Sequence, residues 1–264
     1  MKILYFTATG NSLFVAKALG GELYSIPQLE KSQTYEFEDD KIGIVFPLHA
    51  WGVPSYIAEF LKKVTFKCDY LFAITTFGIY SGAVAKHLND ISHQAGYTFD
   101  YINRIKMVDN YIPTFDMKKE IENEHKKEID KHLATIKSDI DASKKWILKE
   151  NFLQKAAFNY MKSREGRPFN EKRLKVHVYN EGIENYLKVE DSCTQCGICN
   201  KVCPVDNIVI DHEKDKITLK DKCFMCFACV HSCPSNALHI NGQVSRERYR
   251  HKDIAMNEII DANL

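Results

Sequence analysis

Cys193-Thr194-Gln195-Cys196-Gly197-Ile198-Cys199-Asn200-Lys201-Val202-Cys203-Pro204 is answered thirty residues later by Cys223-Phe224-Met225-Cys226-Phe227-Ala228-Cys229-Val230-His231-Ser232-Cys233-Pro234. Eight of the nine cysteines fall in these two C-x2-C-x2-C-x3-C-P runs. The spacing is the bacterial one for a [4Fe-4S] cluster, in which the fourth cysteine of a run ligates the other cluster of the pair. Cys193, Cys196, Cys199 and Cys233 are therefore expected around one cluster, and Cys223, Cys226, Cys229 and Cys203 around the second. A cubane presents four irons at tetrahedral corners, and a tight loop can bring soft thiolates to three of them. The proline after each fourth cysteine turns the chain away from the site.

The repeat runs beyond the cysteines. Asp191 precedes the first run as Asp221 precedes the second, and Ile208 and Ile210 correspond to Leu238 and Ile240. This is one supersecondary unit used twice, and it resembles the two-cluster ferredoxins. Structural zinc takes four ligands from two CxxC pairs, a pattern that eight cysteines in this arrangement overshoot. Disulfides need a secreted setting, and no signal segment is legible before Thr7.

At 264 residues the chain can hold one large domain or two ordinary ones, and 45% hydrophobic residues suit a sizeable core. The formal net charge of +1 gives no global field for nucleic acid or an anionic membrane. No apolar run is long enough to span a bilayer. A soluble, cytoplasmic protein with reduced thiols is the expectation.

Upstream, Ile3–Phe6 reads as a buried parallel strand and Leu13, Val15, Ala16 and Leu19 as one helical face. Between them lies Thr7-Ala8-Thr9-Gly10-Asn11-Ser12. A small hydroxylated loop at a helix N-terminus suits a phosphate. It lacks the endings of a P-loop or a dinucleotide fingerprint, and resembles the flavodoxin signature T-x-T-G-N-[ST] that holds the FMN phosphate. Two further strand ends lead into Pro47-Leu48-His49-Ala50-Trp51-Gly52 and Thr76-Phe77-Gly78-Ile79-Tyr80-Ser81-Gly82. In an open α/β sheet, ligands sit beyond the carboxyl ends of the strands. Aromatic faces there can stack on a flavin while glycines admit backbone groups to its edge. Trp51 and Tyr80 are the stacking candidates; His49 could donate a proton near the ring, although a backbone or solvent partner is the plainer role. Cys68 reads as an inert thiol.

Strands near 2–6, 22–26, 41–47, 69–75 and 97–107, with helices near 11–19, 54–64 and 82–95, predict a doubly wound parallel α/β sheet in the order 2-1-3-4-5. Residues 116–150 read as one amphipathic helix covering the sheet's edge, and Phe152–Met161 as another. Lys162, Arg164 and Arg167 form a small basic patch whose plainer reading is solvated surface. The expected division is an FMN-binding flavodoxin-like domain (1–150), a connecting segment (151–187), an α+β two-cluster ferredoxin domain (188–245) and a C-terminal tail (246–264).

The chain as a whole resembles the flavodoxin–ferredoxin fusion proteins of anaerobes, the flavoferredoxins. The resemblance rests on Tyr5-Phe6-x-Ala8-Thr9-Gly10-Asn11-Ser12, on Ala50-Trp51-Gly52 and on the double cysteine run. It implies FMN and two [4Fe-4S] clusters in one polypeptide. One departure is the charge: lysines and acidic residues between Cys193 and Cys233 are equal, five each, whereas small ferredoxins are acidic. That favours transfer inside the chain over docking on an acidic face. The expected function is electron passage between clusters and FMN, converting one-electron to two-electron chemistry. Two alternatives are an FMN-dependent reductase of an organic substrate with a pocket from residues 108–187, and a non-catalytic carrier subunit of a larger redox complex. Expected partners are ferredoxin-like carriers or reductases, with room for a small-molecule acceptor and a homodimer.

Overall fold

Ile3 and Leu4 are wholly buried in the first strand, β1 (Lys2–Tyr5), as a strand covered on both faces requires. This computed structural model describes residues 1–163, 187–211, 216–220, 222–240 and 242–264. After β1 come α1 (Asn11–Leu19), β2 (Glu22–Ser25), α2 (Ile26–Ser32), β3 (Glu36–Glu38), β4 (Lys41–Pro47) and α3 (Ser55–Lys63). They are followed by β5 (Thr65–Lys67), β6 (Tyr70–Phe77), α4 (Val84–Ala95) and β7 (Tyr101–Lys106). The main sheet has the order β2-β1-β4-β6-β7, parallel throughout. With the short β3–β5 pair set aside, this is the expected 2-1-3-4-5 winding. The sheet gains a sixth parallel strand, β8 (Trp146–Ile147), at its edge.

The single helix expected over 116–150 is broken. Asp116 caps α5 (Met117–Glu122) by accepting from the amides of Lys118 and Lys119, and a 3-10 turn follows at Glu124–Lys127. Glu128 then takes a left-handed φ of 47° before α6 (Ile129–Asp141) begins. Lys127 folds back on Glu120 at 2.9 Å in a nearly enclosed ion pair, a tertiary contact that helical periodicity does not reveal. Then α7 (Phe152–Lys162) starts at a capping box of Asn151 and Gln154.

The cysteine-rich part repeats strand, loop, short helix, strand: β9 (Leu187–Val189), α8 (Ile198–Lys201), β10 (Ile208–Asp211), then β11 (Lys216–Leu219), α9 (Ala228–His231), β12 (Leu238–Ile240). The halves interlock, since β9 pairs with β12 and β10 with β11, both antiparallel. Phe224 plugs this unit into the larger one. Its ring stacks on Tyr56 at 5.1 Å and lies 5.6 Å from Phe6, so one apolar core runs through both.

Residues 246–264 are no loose tail. The His251 amide donates to the Thr9 carbonyl at 2.8 Å, and α10 (Met256–Asp261) lies against β2 and α2. Ser25 Oγ bonds the Ala262 carbonyl, and Lys31 Nζ bonds that of Asn263 at 2.6 Å. Ile254, Ile259 and Ala262 join the main core. The short apolar positions of this stretch are too few to show a helical face on their own.

Candidate redox site

A cavity of about 460 Å³ opens at the carboxyl ends of β1, β4 and β6, the place where a sheet of this winding binds ligands. Thr7, Ala8, Thr9, Asn11 and Ser12 line one part, and Pro47, Leu48, His49, Ala50, Trp51, Thr76, Phe77, Gly78 and Tyr80 another. The three loops singled out in the sequence thus meet at one cavity.

The part formed by the Thr7–Ser12 loop is held from several sides. The Gly10 amide donates to Thr7 Oγ1 at 3.0 Å, and Ser12 Oγ meets Thr76 Oγ1 at 2.9 Å. Asn11 donates to the Val108 carbonyl at 3.0 Å and accepts from the Tyr249 hydroxyl at 2.6 Å. Asn110 Nδ2 donates to Thr9 Oγ1 at 3.1 Å. Asn11 and Ser12 also open α1, whose first-turn amides have no carbonyl partner within the helix, and no acidic side chain stands in that turn. This donor set fits an anionic group such as a phosphate. Gly10 does not line the cavity; at φ 98°, its missing Cβ leaves room for the Cβ atoms of His251 and Ile254, each 3.1 Å from where one would stand.

At the other end Trp51 and Tyr80 touch each other edge to face, with centroids 5.2 Å apart. They form one wall and do not bracket a slot, because no ring could enter between them at that spacing. Ala50 and Trp51 both take left-handed φ, 46° and 68°, an uncommon conformation for such residues. Gly52 and Gly82 do not line the cavity: Gly52 packs beneath Phe158 and His87, and Gly82 beneath the Trp51 backbone. Burial lowers the His49 pKa to about 4, which leaves its ring neutral near pH 7. Its ring contact with Phe224, at 6.0 Å, ties it to the docking core. Cys68, half-buried and pushed up mainly by burial, stands outside the site.

The remaining walls were not foreseen residue by residue. Val108, Asp109, Asn110, Tyr111 and Phe115 come from the segment after β7, Met161 from α7, and Met225, Cys226 and Phe227 from the second cysteine loop. Asp109 holds two of these segments together, accepting from the amides of Ile79 at 3.3 Å and Tyr111 at 3.0 Å. Burial is the main force raising its pKa. A signal for the cluster-side wall lay in the repeat. The first run has Thr194, Gln195 and Gly197 where the second has Phe224, Met225 and Phe227, an apolar set without use in a loop facing water.

Two smaller cavities lie in the cysteine-rich unit. One is lined by Cys203, Cys223, Cys226 and Cys229, the other by Cys193, Cys196, Cys199 and Cys233. Each set takes three cysteines from one run and the last from the other, as the spacing predicted. Among the described residues no three His, Cys, Asp or Glu side chains converge as a single ion would need. A cubane's four ligands bind four separate irons and stand apart around a volume, so the donor sets fit cubanes. Burial pushes the Cys199 thiol up to about 11 and raises those of Cys226 and Cys229 as well. Bound iron would override that preference by holding the thiolate form. The two sites differ in exposure: Cys196 is exposed, whereas Cys226 also lines the large cavity.

Residues 192–238 match the family of 4Fe-4S dicluster domains. No curated protein matches the chain. Among solved structures, the rubredoxin oxygen:oxidoreductase of the anaerobe Desulfovibrio gigas is 16% identical, with a TM-score of 0.33 over 54% of this chain and 36% of that one. The chain therefore spans about a third of that protein's length. The strand order, and not this loose likeness, makes the N-terminal part flavodoxin-like. An iron–sulfur domain joined to such a fold belongs to redox chemistry. Among the described residues no helix is long and apolar enough to cross a membrane.

Proposed function

We propose that the protein passes electrons between two [4Fe-4S] clusters and FMN, joining one-electron carriers to two-electron chemistry. The observation that carries this reading is Cys226, which lines both the large cavity and one four-cysteine cavity. When bound, FMN supplies the exchange of one or two electrons and each cluster the exchange of one.

The chain's own residues set the order and the surroundings. Thr7–Ser12 would hold the phosphate, and Trp51 and Tyr80 would form one wall beside the ring. Cys203, Cys223, Cys226 and Cys229 would hold the cluster next to the flavin, and Cys193, Cys196, Cys199 and Cys233 the outer one. The exposed Cys196 makes the outer cluster the contact for a one-electron carrier protein. Phe224, Tyr56 and Phe6 keep water out of the seam between the two units.

A reductase acting on an organic acceptor is the second reading, favoured by the aromatic rings of Tyr111 and Phe115 and the thioether of Met161 in the cavity wall. It predicts that an added acceptor speeds reoxidation of the reduced flavin, whereas the carrier reading predicts fast exchange with proteins alone.

Anaerobic purification followed by assays of FMN, iron and acid-labile sulfide tests the proposal. About one FMN and about eight iron per chain are expected. Iron without flavin would reduce the N-terminal part to a docking scaffold, and zinc in place of iron would end the redox reading.

A further inference from the structure

The two cysteine loops are built alike, and the comparison isolates what the second one does in addition. Both require left-handed backbone at the third and fifth positions. In the first loop these are Gln195 at φ 51° and Gly197 at φ 78°; in the second they are Met225 at φ 59° and Phe227 at φ 60°. Glycine adopts that conformation freely, whereas a bulky side chain pays for it in strain. The first loop shows that Gly satisfies the fifth position, so a phenylalanine there needs another cause.

The cause lies in what the side chain reaches. Met225 and Phe227 are buried, at 7% and 5% exposure, and both line the large cavity on either side of Cys226 in sequence. Phe227 also lies 5.5 Å from the ring of Tyr111, another cavity residue. The same pair lines the four-cysteine cavity, so together with Cys226 they form the partition between the two. Trp51 and Tyr80, closed on each other, supply only one wall for a planar ligand.

We propose that Met225 and Phe227 are flavin-binding residues, side chains of the cluster loop that complete the wall of the isoalloxazine site. The flavin is then held between the two units, and its ring site is whole only when the cluster unit is docked. This rests on the FMN reading.

The test borrows the first loop's own residues. Phe227→Gly and Met225→Gln give the second loop side chains whose backbone conformation the first loop already adopts. FMN affinity is measured by fluorescence titration of the anaerobic protein after release of its flavin, alongside iron and sulfide content and the cluster EPR signals. The expected result is wild-type iron with FMN bound about tenfold more weakly in Phe227→Gly, and a smaller loss with an altered flavin absorption band in Met225→Gln. Wild-type affinity and flavin spectrum in both variants would overturn the assignment. So would loss of iron with FMN affinity intact, which would make the residues supports of the cluster loop alone. Should Phe227→Gly lose both cofactors, Met225→Gln decides between these outcomes. A wild-type protein that takes up no FMN would overturn the FMN reading itself, and is told apart by its blank titration.

Discussion

The Nε2–H of His231 donates to the Asn110 carbonyl at 2.8 Å. On the other side of the ring, Nδ1 accepts from the Tyr249 amide at 3.1 Å, which fixes the neutral tautomer. Burial agrees, holding the His231 pKa down to about 4. One imidazole thus joins α9, which carries Cys229, the loop after β7 and the C-terminal segment. Asn110 passes the link on to Thr9. Replacing His231 with Ala leaves the buried Tyr249 amide without a partner and takes one of two donors from the Asn110 carbonyl, which keeps the Ile112 amide at 2.8 Å, at a cost of about 1–3 kcal/mol. Thermal unfolding should report that loss, and FMN retention should fall with it because Asn110 loses its tie to the cysteine-rich unit.

Tyr249 reaches the Thr7–Ser12 loop directly, through its hydroxyl to Asn11 Oδ1 at 2.6 Å. Tyr249→Phe removes that one bond and keeps the ring. About 1 kcal/mol of stability should go with it. FMN affinity should weaken roughly fivefold if the Asn11 orientation serves the phosphate. Calorimetric titration of FMN reads the second quantity.

The first cysteine loop carries Thr194 where the second carries Phe224, so the loop itself tolerates threonine. Phe224→Thr should therefore keep iron content while it empties the space between Tyr56 and Phe6. The expected destabilisation is about 3–5 kcal/mol, the usual cost of removing a buried aromatic ring. Limited proteolysis should then cut between the two units, where the wild type resists.

His87 sets an acid limit. Its Nδ1 accepts from the Val53 amide at 3.0 Å, and its pKa is lowered to about 4, chiefly by burial and then by Lys162. Lys86 and Lys62 push the same way, while Asp90 opposes them. The unfolded chain takes up a proton near the ordinary histidine value of 6.5 that the folded chain refuses. Stability is therefore intact above that pH and falls as pH drops from 6.5 toward about 4, by up to about 1.4 kcal/mol per pH unit. His87→Gln, which keeps an acceptor for Val53, should remove that share of the slope in denaturant melts recorded across the range, while the buried His49 and His231 keep theirs.

Much of this arrangement was legible in the residues. Alternation of buried apolar strands with helices gave the winding, because a strand covered on both faces shows as a continuous apolar run such as Ile42–Phe46. The cysteine spacing names the same two groups of four that line the two small cavities, because in this pattern the fourth cysteine of each run is expected at the other site. What escaped was tertiary. The break at 123–128 depends on the Lys127–Glu120 pair, and the place of residues 246–264 depends on contacts with β2 and α2. Trp51 and Tyr80 line the cavity, but their closure on each other is a packing outcome that residue type does not encode. The substitution of Thr194, Gln195 and Gly197 by Phe224, Met225 and Phe227 was visible, and it marks the loop that faces inward. Arg164, Arg167 and the rest of the connecting segment from 164 to 186 lie outside the described residues.

The central claim is that electrons reach the flavin by way of the cluster at Cys226. Anaerobic rapid mixing of the protein with a reduced one-electron carrier, following the flavin and cluster absorption bands separately, tests it most directly. In the wild type the cluster bands should change first and the flavin band follow. In Cys226→Ser preparations that retain FMN but lack the inner cluster, flavin reduction should slow severalfold. Flavin reduction at the wild-type rate in those preparations would contradict the account.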